Sequence, residues 1–192
     1  NAAFLADGAL VHVPAGVSAE PLELVFVTAA AAAATAVHPR VLVVAERDSR
    51  ATLVETYVAL GPGAALTNAV TEVVLAEGAR LDHYQVQDQP PSAFHFSTLA
   101  VAQGSATRFS TLSTALGAAI SRSDVRALLD GPGAEAHVCG LYMVDGHRLV
   151  DNHSLVEHRT PRGTSRERFK GILDGASRGV FAGRVRVHEG AM

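Results

Sequence analysis

The densest group of chemically able side chains is Asp151-Asn-His153-Ser-Leu-Val-Glu157-His158. Carboxylates and imidazoles are the donors of oxygen- and nitrogen-rich metal sites and of acid–base catalysis. On a strand Asp151, His153 and Glu157 share one face while His158 points to the other. Neighbours on one face stand about 6.6 Å apart, too far for three of them to hold one ion without a second strand. The pattern therefore fits groups paired across adjacent strands or at an interface, and no metal ligands are assigned.

Other candidates are weaker. Gly175-Ala-Ser177-Arg-Gly179 has the form of a hydrolase nucleophile elbow, but a strand pattern, Val180 to Val187, follows it where a helix is needed, and no Asp comes after Ser177. No phosphate-binding P-loop or dinucleotide fingerprint occurs. His83, His95, His137 and His147 are expected as surface or cross-strand side chains, and Cys139 as a small buried hydrophobe. A glycosidase would have to draw its carboxylate pair from Asp130, Asp145, Asp151 and Glu157, with no Trp and three Tyr to stack sugars. No catalytic residue is assigned.

The elements that would carry these residues are strands. Val125, Ala127 and Leu129 alternate with polar neighbours, as do Val185 and Val187, which is the period of a half-buried strand. Turn signals followed by a small residue recur at Ala51, Ala64, Ala79, Ala93, Ala106, Ala134 and Ala176, at intervals close to multiples of about 14 residues. That unit is too short for a βαβ repeat and long for a hairpin, so two units are expected to make one coil of about 28 residues, stacked roughly 4.8 Å above the last. The expectation is an all-β chain, a solenoid of two long strands per coil with about six coils from Asn1 to Met192, treated as a single domain; an antiparallel sandwich is the competing architecture. Two strand-like stretches, Ala9–Val13 and Leu22–Val27, open the chain as a β-arm or first coil, and Ala29 to Ala34 reads as a low-complexity connection.

Composition narrows the function. The chain has 192 residues, 48% apolar and 18% charged, with a net charge of −3 and its 16 basic residues scattered, which argues for a globular protein and against a nucleic-acid partner. One cysteine can form no internal disulfide, so a reducing, intracellular setting is expected. The most apolar window, Leu22 to Val37, is interrupted by Glu23 and is too short for a membrane span. The chain starts at Asn1 without a signal-like stretch and is expected to be a trimmed fragment.

The stretch Asp151-x-His153-Ser-x-Val-Glu157-His158-x-x-Pro161, then Ser165, Lys170-Gly171 and Phe181-x-Gly183, resembles the core signature of the SufB/SufD family of iron–sulfur cluster assembly proteins. Phe4-Leu-Ala-Asp-Gly8 to Val13-Pro-Ala-Gly-Val17 resembles that family's entry into its core. The resemblance implies a right-handed parallel β-helix and a non-enzymatic cytoplasmic scaffold that pairs with a SufB-like protein and recruits the ATPase SufC. It makes Asp151, His153, Glu157, His158, Ser165, Lys170, Gly171, Phe181 and Gly183 structural or interface residues. No cofactor is expected on this stretch, the iron–sulfur cluster being handled by the full complex, and a homodimer is expected for the chain alone. Where the SufB branch carries a sulfur-accepting cysteine the sequence reads Glu55-Thr56-Tyr57, and where it carries Gln-Asn-Trp and a lysine it reads Gln87-Asp88-Gln89 and Ala102, which favours the SufD branch. The family's Cys-x-His segment and SufC-docking region are expected beyond Met192. The alternatives are a SufB-type subunit, a β-helix carbohydrate-active enzyme, or a metal-binding domain built on Asp151, His153 and Glu157.

Overall fold

A strand with one apolar and one polar face must bury the apolar one against another layer. The computed structural model, which describes residues 1–30 and 33–191, solves this by coiling. Among those residues the strands are β1 (Gly8–Val13), β2 (Leu22–Ala29), β3 (Thr35–Val37), β4 (Arg40–Ala45), β5 (Arg50–Leu60), β6 (Ala65–Leu75), β7 (Arg80–Gln87), β8 (Phe94–Gln103), β9 (Arg108–Ala115), β10 (Ile120–Leu129), β11 (Glu135–Val144), β12 (Leu149–His158), β13 (Thr164–Leu173) and β14 (Arg178–Val187). Successive long strands alternate between two parallel sheets. Sheet A runs β1-β4-β6-β8-β10-β12-β14, with β3 also paired to β6, and sheet B runs β13-β11-β9-β7-β5-β2.

The result is the expected parallel β-solenoid, of about six turns. Val41, Thr71, Leu99, Val125, Ser154 and Gly183 stack in one column, one from each successive coil, which matches the repeat read from the turns. The right-handed sense expected for it is the one that strand–connection–parallel strand units take. β1 and β2 form the first coil, on β4 and β5. Of the expected Ala29–Ala34 connection, Ala29 closes β2 and Ala30 is buried, while Ala31 and Ala32 lie outside the described residues.

The corner between sheet A and sheet B departs from the alanine series. Its buried column is Ser49, Ala79, Thr107 and Ala134, each held by the backbone of the next coil. Ala106 is instead one of the left-handed turn residues just before that column, beside Asp48, Gly78, Gly133 and Arg162. The column's next member is Gly163, where a Cβ would press on His158 and Leu129 at 3.1 Å. Ala51 lies two residues past this column, while Ala64 and Ala176 are exposed at the opposite corner.

The interior is divided along its length. Near the Ser49 corner it is aliphatic and aromatic: Val43, Leu53, Leu75, Leu81, Val101, Phe109, Leu129 and Val138 form one cluster. Towards the opposite corner it is polar, with Glu55, Thr71, His83, Gln85, Gln87, His95, Asn152 and Ser154 buried.

Candidate functional site

The polar half of the interior centres on Glu55, in the middle of β5, whose side chain is wholly enclosed. Its carboxylate accepts hydrogen bonds from the Tyr57 hydroxyl at 2.7 Å and from Thr71 Oγ1, on the opposite sheet, at 2.8 Å. His83 Nε2, one coil further on β7, stands 3.4 Å from Glu55 Oε1, close enough for Coulomb attraction but without hydrogen-bond geometry. Its Nδ1 is hydrogen-bonded to Thr111 Oγ1 at 2.9 Å. Burial would raise the Glu55 carboxyl, but His83 and the two hydroxyls outweigh it and hold the group below its ordinary value. The same enclosure, with Glu55 beside it, pushes the Tyr57 phenol well up. The Tyr57 ring is packed between Phe26, stacked at 4.9 Å, and His95, edge-on at 4.9 Å.

A second set adjoins the first. His95 Nδ1 donates to Gln89 Oε1 at 3.0 Å, and Gln89 Nε2 donates to Thr67 Oγ1 at 2.9 Å. Burial lowers the His95 pKa to about 4, with Glu55 opposing slightly, so the ring is neutral at pH 7. Sequence reading placed His83 and His95 as surface or cross-strand groups. His83 does bond across to the next coil, but both rings are buried. The available signal was Gln85, Gln87 and Gln89 at a spacing of two, which makes this stretch polar on both faces.

The signature residues fall on the last two coils. β12 alternates cleanly, so Asp151, His153 and Glu157 face outwards and His158 faces in. Asp151 pairs with His153 on its own strand at 2.8 Å and with Arg122 on the adjacent coil at 3.0 Å, and Arg122 also holds Asp124 at 3.0 Å. Glu157 turns away to His188 at 2.8 Å. The three are thus not brought together, and among the described residues no three His, Cys, Asp or Glu side chains form a group able to hold a metal ion. His158 Nε2 is hydrogen-bonded to Ser165 Oγ at 2.9 Å.

Two glycines of the signature are explained by aromatic rings. A Cβ at Gly171 would overlap the Tyr142 ring, and one at Gly183 would meet Phe181 at 2.8 Å and Glu167 at 3.0 Å. Phe181 lies on Phe169 with ring centroids 4.4 Å apart and is half exposed, while Lys170 points to solvent from the outer face of sheet B. Cys139 corrects its expectation: the strand's alternation puts it on the outer face of sheet B and Gly140 inwards, where the Phe169 ring occupies the space a Cβ would need. Asp130 pairs with Arg159 and Asp145 with Arg148, so these carboxylates serve different cations. Ser177 Oγ donates to the Asp174 and Val144 carbonyls in a turn that leads into β14, without the helix of an elbow.

These features define a class first: a parallel β-solenoid core domain with a polar seam sealed inside and an aromatic, glycine-dependent last coil. A family model described as SUF system FeS cluster assembly, SufBD core domain, matches residues 26–192, and the chain belongs to that family. It is 30% identical over its whole length to an iron–sulfur cluster assembly SufBD family protein of Synechocystis sp., covering 44% of that protein. It is also 30% identical, over 95% of its length, to the iron–sulfur cluster assembly protein SufD of Escherichia coli, covering 40% of it. Against the chloroplastic protein ABCI7 of Arabidopsis thaliana the identity is 29% over 79% of the chain and 32% of the relative. The chain therefore spans less than half the length of each of these relatives.

Proposed function

We propose that the chain is the solenoid core of a SufD-like, non-catalytic scaffold of SUF iron–sulfur cluster assembly, working in the cytoplasm with SufB-like and ATPase SufC-like partners. The observation that carries this reading is Tyr57. At the position matched to the sulfur-accepting cysteine of the SufB branch stands a phenol sealed in the core and bonded to Glu55, and the chain's one cysteine, Cys139, faces outwards. An interior without a thiol supports a subunit that shapes the assembly rather than one that carries sulfur. The iron–sulfur cluster is the cargo of the whole complex, and none of its ligands is assigned here.

Partner pairing has its support in the family, whose members among the relatives are named as iron–sulfur cluster assembly proteins. The test is co-expression of the tagged full-length parent protein with the SufB and SufC homologues of its cell, then affinity capture and gel filtration. A stable three-component complex is the expected result. A folded protein that retains neither partner would overturn the reading.

A further inference from the structure

A strand of a parallel sheet reads as a near-continuous apolar run where both of its faces are covered, and as an alternation where one face is wet. Several interior strands of sheet A carry such runs: Val41-Leu-Val-Val-Ala45, Val73-Val-Leu75, Leu99-Ala-Val-Ala102 and Ala127-Leu-Leu129. Every second member points inwards, which leaves Leu42, Val44, Val74, Ala100, Ala102 and Leu128 on the outer face. Leu42 is 38% and Val74 46% exposed there. The four strands, β4, β6, β8 and β10, are each paired on both sides, so the patch is a sheet face and not an edge.

Across the coils this face is its own complement. In register, one row reads Leu42–Glu72–Ala100–Arg126–Leu155 and the next Val44–Val74–Ala102–Leu128–Glu157. Reversed about Ala100, the first row keeps its apolar ends and exchanges acid for base. We propose that this face of sheet A pairs with the same face of a second copy, about a two-fold axis running along β8. Such an axis reverses the order of the coils and keeps each residue's place along its strand. Glu72 then meets the partner's Arg126, Leu42 the partner's Leu155 and Val74 the partner's Leu128, each contact occurring twice, as a two-fold interface demands. Both hydrogen bonds from Arg40 go to Glu72 Oε2, which leaves Oε1 for the second cation. Ala100 and Ala102 lie on the axis, where their small side chains leave room for the stems of Glu72 and Arg126 to cross. The two carboxylates that meet the partner's Val70 and Val44, Asp124 and Glu157, are held within their own chain by Arg122 and His188. From strand spacing and rise the face offers roughly 500 Å² per copy, about 1,000 Å² for the pair, which reaches the lower bound of a specific interface. The proposal does not rest on the scaffold reading: self-association tests the one, and capture of SufB- and SufC-like partners the other.

The experiment is sedimentation velocity of the full-length parent protein over a concentration series, with charge variants of the face. The parent should dimerise. R126E sets two like-charge pairs in the interface and should raise the dimer dissociation constant about tenfold or more, and E72R/R126E should recover most of that loss. R108E, on the outer face of sheet B, should leave it within about twofold. A102C treated with a short bismaleimide should give a crosslink joining position 102 of the two copies, located by mass spectrometry. Thermal melts verify folding, and R126Q, with a smaller loss expected, replaces R126E if its melt shifts. The proposal is overturned by a parent that stays monomeric, or by a dimer that R126E leaves unchanged or that E72R/R126E fails to recover. It is overturned equally by an A102C thiol that no maleimide reaches, which would mean that another part of the parent protein covers the face.

Discussion

Replacing Tyr57 by Phe tests the buried seam with the least disturbance of shape. The ring keeps its places against Phe26 and His95, and only the hydroxyl that donates to Glu55 at 2.7 Å is lost. A hydrogen bond to a charged acceptor contributes about 1.5–3 kcal/mol. Thr71 Oγ1 also reaches the affected oxygen, Glu55 Oε2, at 3.0 Å, which puts the expected loss towards the lower end, about 1.5–2 kcal/mol. For a chain of this size that is a fall in Tm of roughly 3–8 °C.

Its pH dependence is equally specific. The Glu55 pKa in the folded chain lies below its ordinary value of 4.5, so its ionised form contributes stability that is present above that value and lost as pH falls through the folded one. The Tyr57 bond helps hold it down, so the deficit of Tyr57→Phe should be full at pH 7 and shrink in acid towards that of a neutral hydrogen bond, about 1 kcal/mol. Urea denaturation across this pH range, with hydrogen exchange at the β5 and β7 amides, reads both effects. A deficit below about 0.5 kcal/mol at pH 7, or one that grows in acid, would refute the ionised, hydroxyl-held Glu55.

Three further predictions concern other parts of the fold. His95 is held neutral by burial with a pKa of about 4 against an ordinary 6.5, so stability is complete above pH 6.5 and drains by about 3 kcal/mol as pH falls towards 4; His95→Gln should flatten that stretch of a stability–pH curve. Gly140→Ala should cost about 1–3 kcal/mol by overlap with Phe169, and the double variant with Phe169→Leu should recover part of it in denaturant titrations. Arg122→Ala removes an exposed pair of contacts to Asp124 and Asp151, so thermal melts should shift by less than about 1 kcal/mol in stability, and less still in high salt.

Much of the architecture was written in short-range patterns. Alternation in Ile120–Leu129 and Arg178–Val187 and turn residues at even spacing gave the strands, the coil length and the parallel stacking, because a strand's two faces and a turn's left-handed residue are properties of a few consecutive residues. That Asp151, His153 and Glu157 share one face and His158 takes the other followed from the same period, and the structure turns the first face outwards. Where a stretch is polar on both faces, as in Arg80–Gln87, alternation carries no direction, and the burial of His83 was not legible. That the inward position beside Cys139 has room only for a glycine depended on Phe169, a side chain on another coil.

By itself, then, the sequence determined the repeat, the strand faces and the family signature, all of which rest on local conformation and spacing. Tertiary structure alone decided that Glu55 meets Tyr57, Thr71 and His83, from three strands on two sheets. That meeting depends on which residue of one coil lies over which residue of the next. Coils here differ in length, the step from Leu99 to Val125 being shorter than that from Val41 to Thr71. The register is therefore set by how the corners close and the core fills, not by counting along the chain.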